Sequence, residues 1–193
     1  MMYDRLYADI MLKLKEELPK ELYYHGRHHT IDVLATLTQI CKAEGVLGND
    51  LVLLQTAALL HDIGFTVGAT NHEQTGCDMA LKMLPEYGYN AVQIESISGM
   101  IMATKIPQSP KNKLEEIICD ADLDYLGRND FYPISNSLFR ELKTRGAISD
   151  ENEWNKLQVK FLTAHHYFTT TNITTREPEK QKRIEELKKI IVE

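Results

Sequence analysis

Residues 50–64 read Asp50-Leu51-Val52-Leu53-Leu54-Gln55-Thr56-Ala57-Ala58-Leu59-Leu60-His61-Asp62-Ile63-Gly64. Apolar residues fall on most sides of a helical projection, which predicts a central helix over about 50–63, enclosed by others. Its most apolar part, Leu51 to Leu60, is far short of the ~20 residues that span a bilayer. The polar pair His61-Asp62 ends this apolar helix, where desolvation costs several kcal/mol unless a partner compensates. A divalent ion would compensate both side chains. The ordinary alternative is a helix C-terminus, with the His at the negative end of the dipole and the Asp opening a turn. Gly64 is the expected terminator.

The rest of the chain keeps the same period. Helices are predicted over about 3–18, 28–43, 72–84, 91–103, 114–126, 134–145, 151–168 and 178–192, and no stretch alternates convincingly for a strand. Pro19, Gly45, Pro85 and Gly127 mark ends, Gly64 to Asn71 reads as a loop, and Ile106-Pro107-Gln108-Ser109-Pro110 is a rigid break. In the 151–168 helix, Trp154, Leu157, Phe161, His165 and Phe168 recur at intervals of three and four. The expected architecture is an all-α, single-domain helical bundle over 1–193. Its metal-site core lies at about 23–127, and C-terminal helices at about 131–193 complete the bundle.

With 193 residues, 43% apolar and 26% charged, the chain has the balance of a folded domain with a buried core. The net charge of −6 argues against a protein that coats long nucleic acid. Lys180 to Lys189 interleaves Glu185 and Glu186 and reads as a solvated face. Cys41, Cys77 and Cys119 show no C-x-x-C spacing, which predicts reduced thiols. No leader-like or membrane-spanning segment is visible, so the expected location is cytoplasmic.

Four segments carry chemistry: Tyr24-His25-Gly26-Arg27-His28-His29-Thr30, Leu60-His61-Asp62-Ile63-Gly64, Asn71-His72-Glu73 and Cys119-Asp120-Ala121-Asp122-Leu123-Asp124. Imidazoles and carboxylates together suit Mn, Fe, Mg, Zn, Co or Ni. Facing helices of a bundle can bring such groups to one point. A His, a His-Asp pair and a distant Asp, all on helices, resemble the signature of the HD superfamily of metal-dependent phosphohydrolases. The resemblance covers roughly Tyr23 to Gly127 and implies His29, His61, Asp62 and Asp122 as ligands of one or two divalent ions.

A further likeness is to the class I cyclic nucleotide phosphodiesterases. Tyr24-His25 stands four residues before His29, Met100-Ile101-Met102-Ala103-Thr104 looks like their Ala-Thr segment, and Cys119-Asp120-Ala121-Asp122-Leu123 resembles their last ligand string with one insertion. That alignment favours Asp122 over Asp120 and Asp124. Phe65 stands where those enzymes carry a further His, and their purine-gripping Gln segment has no recognisable counterpart near Trp154 to Phe168.

The resemblance implies hydrolysis of a phosphoester by metal-activated water, with Asp62 catalytic and able to bridge two ions, and His25 as general acid. His72 and Glu73 are candidates for contacting the metal, its water or the substrate, against a capping role for His72. Thr104, Lys105 and Arg128 are candidate substrate contacts, against solvated cations for the last two. His165 and His166 have no assigned role, and a hydrogen-bonded core histidine is the plainer reading of His165. The expected partner is a small phosphorylated substrate, nucleotides included, with no membrane. Alternatives are an HD-type di-iron oxygenase and a non-catalytic metal or nucleotide sensor. The oxygenase needs a second added His after the 91–103 helix, and none occurs between His72 and His165.

Overall fold

The computed structural model describes residues 1–192, in which ten α-helices and three short 3-10 turns form an all-α bundle without strands. The helices are α1 Tyr3–Glu17, α2 Arg27–Glu44, α3 Gly48–Leu60, α4 His72–Met83, α5 Ala91–Ala103, α6 Lys113–Asp122, α7 Phe131–Thr144, α8 Glu151–Ala164, α9 Thr170–Thr175 and α10 Glu177–Ile190. The 3-10 turns are Ile63–Thr66, Leu84–Tyr87 and Asp124–Gly127. No helix among the described residues is long and apolar enough to cross a membrane.

α3 is the buried centre, with Leu54, Ala57, Ala58, Leu59 and Leu60 closed to solvent. It packs with α1, α2, α5 and α6 around one large apolar core. A smaller core joins Tyr24, Leu123, Tyr125 and Leu126 to Phe131, Leu162, Ile184 and Leu187. This second core carries the C-terminal helices onto the turn that follows α6.

Four boundaries differ from the periodic reading, the simplest being α7, which begins at Phe131 rather than near 134. α3 stops at Leu60, and Gly64 lies inside the next 3-10 turn rather than capping the helix. α6 stops at Asp122 instead of continuing to residue 126. α8 ends at Ala164, so His165 is an extended residue beyond it, and the six-residue α9 follows. The physical cause of this last break is tertiary. The Asp120 carboxylate accepts the Phe168 N–H at 2.9 Å, the Thr169 N–H at 2.8 Å and the Thr169 hydroxyl at 2.6 Å. Those bonds hold residues 165–169 extended despite their helical pattern.

Glu44, at the last turn of α2, ties three elements together. Its carboxylate accepts from Lys113 Nζ, and from the Thr171 N–H at 2.8 Å and hydroxyl at 2.6 Å. Lys113 first, and Thr171 next, hold its carboxyl down at about 2. Glu44→Ala is expected to cost about 1–3 kcal/mol at neutral pH. Because the folded-state pKa is depressed, this contribution is present above the ordinary 4.5 and fades as pH falls toward 2. Urea unfolding of both proteins at neutral and acid pH checks it: the gap between their midpoints should narrow in acid.

Candidate metal centre

Helix α2 presents His29 two residues inside its N-terminus, after Gly26. α3 ends at Leu60 and delivers His61 as its C-cap, with Asp62 next. α6 contributes Asp122 from its C-terminal residue. Helix packing brings these to one point, where donor atoms of His29, His61 and Asp122 lie within 4.8 Å of one another. His29 Nε2 is 3.0 Å from Asp122 Oδ1 and 3.3 Å from His61 Nε2, and His61 Nε2 is 3.6 Å from Asp122 Oδ1. Asp62 Oδ2 is 3.2 Å from His61 Nε2 and 3.6 Å from His29 Nε2.

Two features test whether a cation fits. His61 Nδ1 lies 2.7 Å from the Ala58 carbonyl and must donate to it, which leaves the Nε2 lone pair facing the cluster. Asp62 Oδ2 is fully buried and accepts no hydrogen bond among the described residues. A lone pair and an orphaned carboxylate oxygen aimed at one point are costly without a positive charge between them. Donor separations of 3.0–3.6 Å are those of neighbouring ligands around an ion with bonds of about 2.1 Å. The residues fit a divalent cation.

Electrostatics agree. Burial alone would raise the Asp62 carboxyl, but His61 beside it, with His25 and His29, outweighs burial and holds it well below the carboxylate range. Asp122 is likewise pulled down to about 2, against burial, by His29 and His61. Both are anionic in the folded protein.

His25 lies on the other side of the centre, stacked 4.4 Å from Phe65. Its Nδ1 is 2.6 Å from Oε1 of Glu141, a fully buried carboxylate on α7 whose Oε2 accepts the Tyr24 and His25 N–H groups at 2.9 and 3.1 Å. Burial raises the Glu141 carboxyl, and its hydrogen bonds with His25, Tyr24 N–H and His25 N–H bring it below its ordinary value. Sequence reading missed Glu141, which stands 116 residues from its partner; its only sequence signal is an acid on the apolar face of a helix.

His72 opens α4, where its Nε2 is 3.5 Å from Asp62 Oδ1 and 3.6 Å from Glu73 Oε1. It makes no side-chain cap of its helix, whose preceding Asn71 adopts the left-handed conformation. Gly64 makes this placement sterically accessible: a Cβ there would sit 2.0 Å from the His72 carbonyl oxygen. Gly64→Ala is therefore expected to cost about 1–3 kcal/mol by forcing two backbones apart. It should also weaken Mn²⁺ binding, as read by calorimetric titration beside a melting curve.

His25, Asp62, His72, Glu73, Thr104 and Asp122 line one cavity of about 250 Å³. The remaining sequence candidates lie elsewhere. Lys105 is exposed and outside the lining, and the half-buried Arg128 is also outside it, clasped by Asp32 at 2.9 Å and Asp130 at 2.6 Å. Those carboxylates occupy the guanidinium that a phosphate would need. Asp120 holds Thr169, and Asp124 accepts from Arg176 at 2.7 Å and Asn172 at 3.1 Å, so neither joins the cluster. His165 is held by Lys180, 3.3 Å from its Nδ1, and burial, then Lys180, push its pKa down to about 3. His166 is exposed.

A helical bundle in which two buried histidines and a half-buried aspartate converge, with the buried Asp62 against both histidines, defines an all-α domain with a candidate metal site. The HD domain model matches residues 26–124, and the chain belongs to the HD domain family, whose domains bind divalent metals. An uncharacterized protein of Clostridium beijerinckii is 31% identical over 98 residues, 49% of this chain; the match spans 62% of that relative's length. The crystal structure of a predicted HD superfamily hydrolase from an uncultured Thermotogales bacterium superposes with a TM-score of 0.63. It is 20% identical and the match covers 94% of this chain and 89% of that one, a likeness of fold.

Proposed function

We propose that the protein is a metal-dependent phosphohydrolase that cleaves a phosphoester of a small molecule, nucleotides included. The observation that carries this reading is the orphaned Asp62 oxygen among two histidines and Asp122, in the same cavity as His25. His29, His61, Asp62 and Asp122 would hold the ion, and His72, beside the second oxygen of Asp62, would contact a second ion or the substrate phosphate together with its neighbour Glu73. A divalent ion bound there supplies an activated water and polarises phosphoryl oxygens.

The chain's own contribution is positioning and proton supply. Hydrolysis forms one P–O bond to water oxygen and breaks the ester P–O bond, and the departing alkoxide needs a proton. His25 supplies it. Glu141 fixes Nδ1, leaving Nε2 as the nitrogen free for transfer, and the Phe65 face holds the ring plane. Thr104, whose hydroxyl donates to Ile101 at 2.8 Å, shapes the wall.

The test is phosphate release from a panel of phosphomonoesters, nucleotides and cyclic nucleotides by protein stripped with chelator and then given Mn, Mg, Co or Fe. Turnover that vanishes on stripping and returns with metal is expected. No turnover with any metal, from protein that demonstrably holds its ion, would sink the reading and favour a sensor.

A further inference from the structure

The cavity does not end at the metal centre. It runs on between α7 and α8, where Leu138, Leu142, Trp154, Leu157, Phe161 and Leu162 line it. At about 250 Å³ it lies just below the usual range of ligand pockets and suits a small molecule. No Lys or Arg appears in its wall among the described residues. A second phosphate or a polyphosphate chain entering this arm would find no countercharge.

The arm between α7 and α8 carries few groups that read hydroxyls, the cavity's phenols being those of Tyr24, packed on His29, and Tyr125, packed on Tyr24. Gln158 is its one amide, and each end already has a partner: Oε1 accepts from Ser135 and Nε2 donates to Asn155 Oδ1 at 3.1 Å. A buried sugar hydroxyl would lose water without a replacement partner. The Trp154 indole N–H is buried and has no partner among the described residues. We propose that this chamber takes the alcohol half of the substrate, and that this half is an apolar, ring-sized group. The substrate class is then a phosphate ester of a hydrophobic alcohol rather than a sugar phosphate, an inference that rests on the phosphohydrolase reading of the same site.

Cyclohexylmethyl phosphate and glycerol 3-phosphate both release primary alcohols and separate apolarity from leaving-group chemistry. With Mn-loaded protein, kcat/KM is expected to favour the former by at least about thirtyfold, the order given by burying a ring of apolar surface. Leu157→Lys, at a position 43% exposed and so tolerant of charge, should cut that preference by about tenfold or more. A readout independent of turnover comes from Trp154, the single tryptophan. Its emission should respond saturably to cyclohexylmethylphosphonate and not to 3,4-dihydroxybutylphosphonate. Equal hydrolysis of the two esters, a preference for glycerol 3-phosphate, or an unresponsive Trp154 would overturn the chamber assignment while leaving the hydrolase intact. A selective Trp154 response without hydrolysis of any ester would support the chamber and overturn the phosphohydrolase reading instead.

Discussion

Replacing Asp62 by Ala is expected to abolish stoichiometric metal retention and to lower phosphoester hydrolysis by more than about a hundredfold. Even partners that only orient metal ligands are worth 10–100-fold, and Asp62 stands directly against both histidines of the donor cluster. Its Oδ2 lies 3.2 and 3.6 Å from the two histidine Nε2 atoms, and its Oδ1 lies 3.5 Å from His72, so one carboxylate serves both sides of the centre. The fold should survive, because the Asp62 side chain accepts no hydrogen bond through its buried Oδ2 that the bundle depends on. Elemental analysis after metal loading and desalting, run beside circular dichroism and a phosphate-release assay, measures all three quantities. A variant with wild-type metal content and undiminished turnover would contradict the assignment.

His25→Ala is the second large effect: kcat should fall by about 10²–10⁴ with metal content unchanged. The diagnostic is the leaving group. p-Nitrophenolate departs without protonation, so the loss should be much smaller for p-nitrophenyl phosphate than for an alkyl phosphate. A uniform loss across leaving groups would make His25 a binding residue rather than an acid. Glu141→Gln tests the residue that positions it. Glutamine can still accept the Tyr24 and His25 N–H groups, so the fold should hold, but its amide NH2 replaces the Oε1 that fixes His25 Nδ1. A drop in kcat of about tenfold with the same leaving-group dependence is expected. If Glu141 only braces the fold, the melting temperature will move and the leaving-group dependence will not.

Much of the molecule is legible in one dimension because its information is local. The 3.6-residue period marks nine of the ten α-helices, and an apolar helix closing on His61-Asp62 flags a polar pair that needs compensation. Order along the chain is also local information, and the succession His29, His61-Asp62, Asp122 places a ligand set on helices before any distance is known. Of the three acids at 120, 122 and 124, only Asp122 joins the cluster, since alternate positions on a helix point apart.

What stayed hidden depends on which distant surfaces meet. A periodic pattern continued to Phe168, but Asp120 bonds the backbone at 168 and 169, and a buried carboxylate outweighs local propensity. Arg128 reads as a free cation until the fold sets Asp32 and Asp130 against it. Glu141 is an unremarkable acid until α7 packs it under His25. The apolar chamber has no linear signature at all, because leucines that line a cavity and leucines that fill a core obey the same helical spacing. Helix type is therefore set by neighbours three and four residues apart, and the order of the candidate ligands by the succession of their motifs. The Glu141 brace under His25 and the shape of the cavity arise only from contacts between residues far apart in the chain, which no spacing along it encodes.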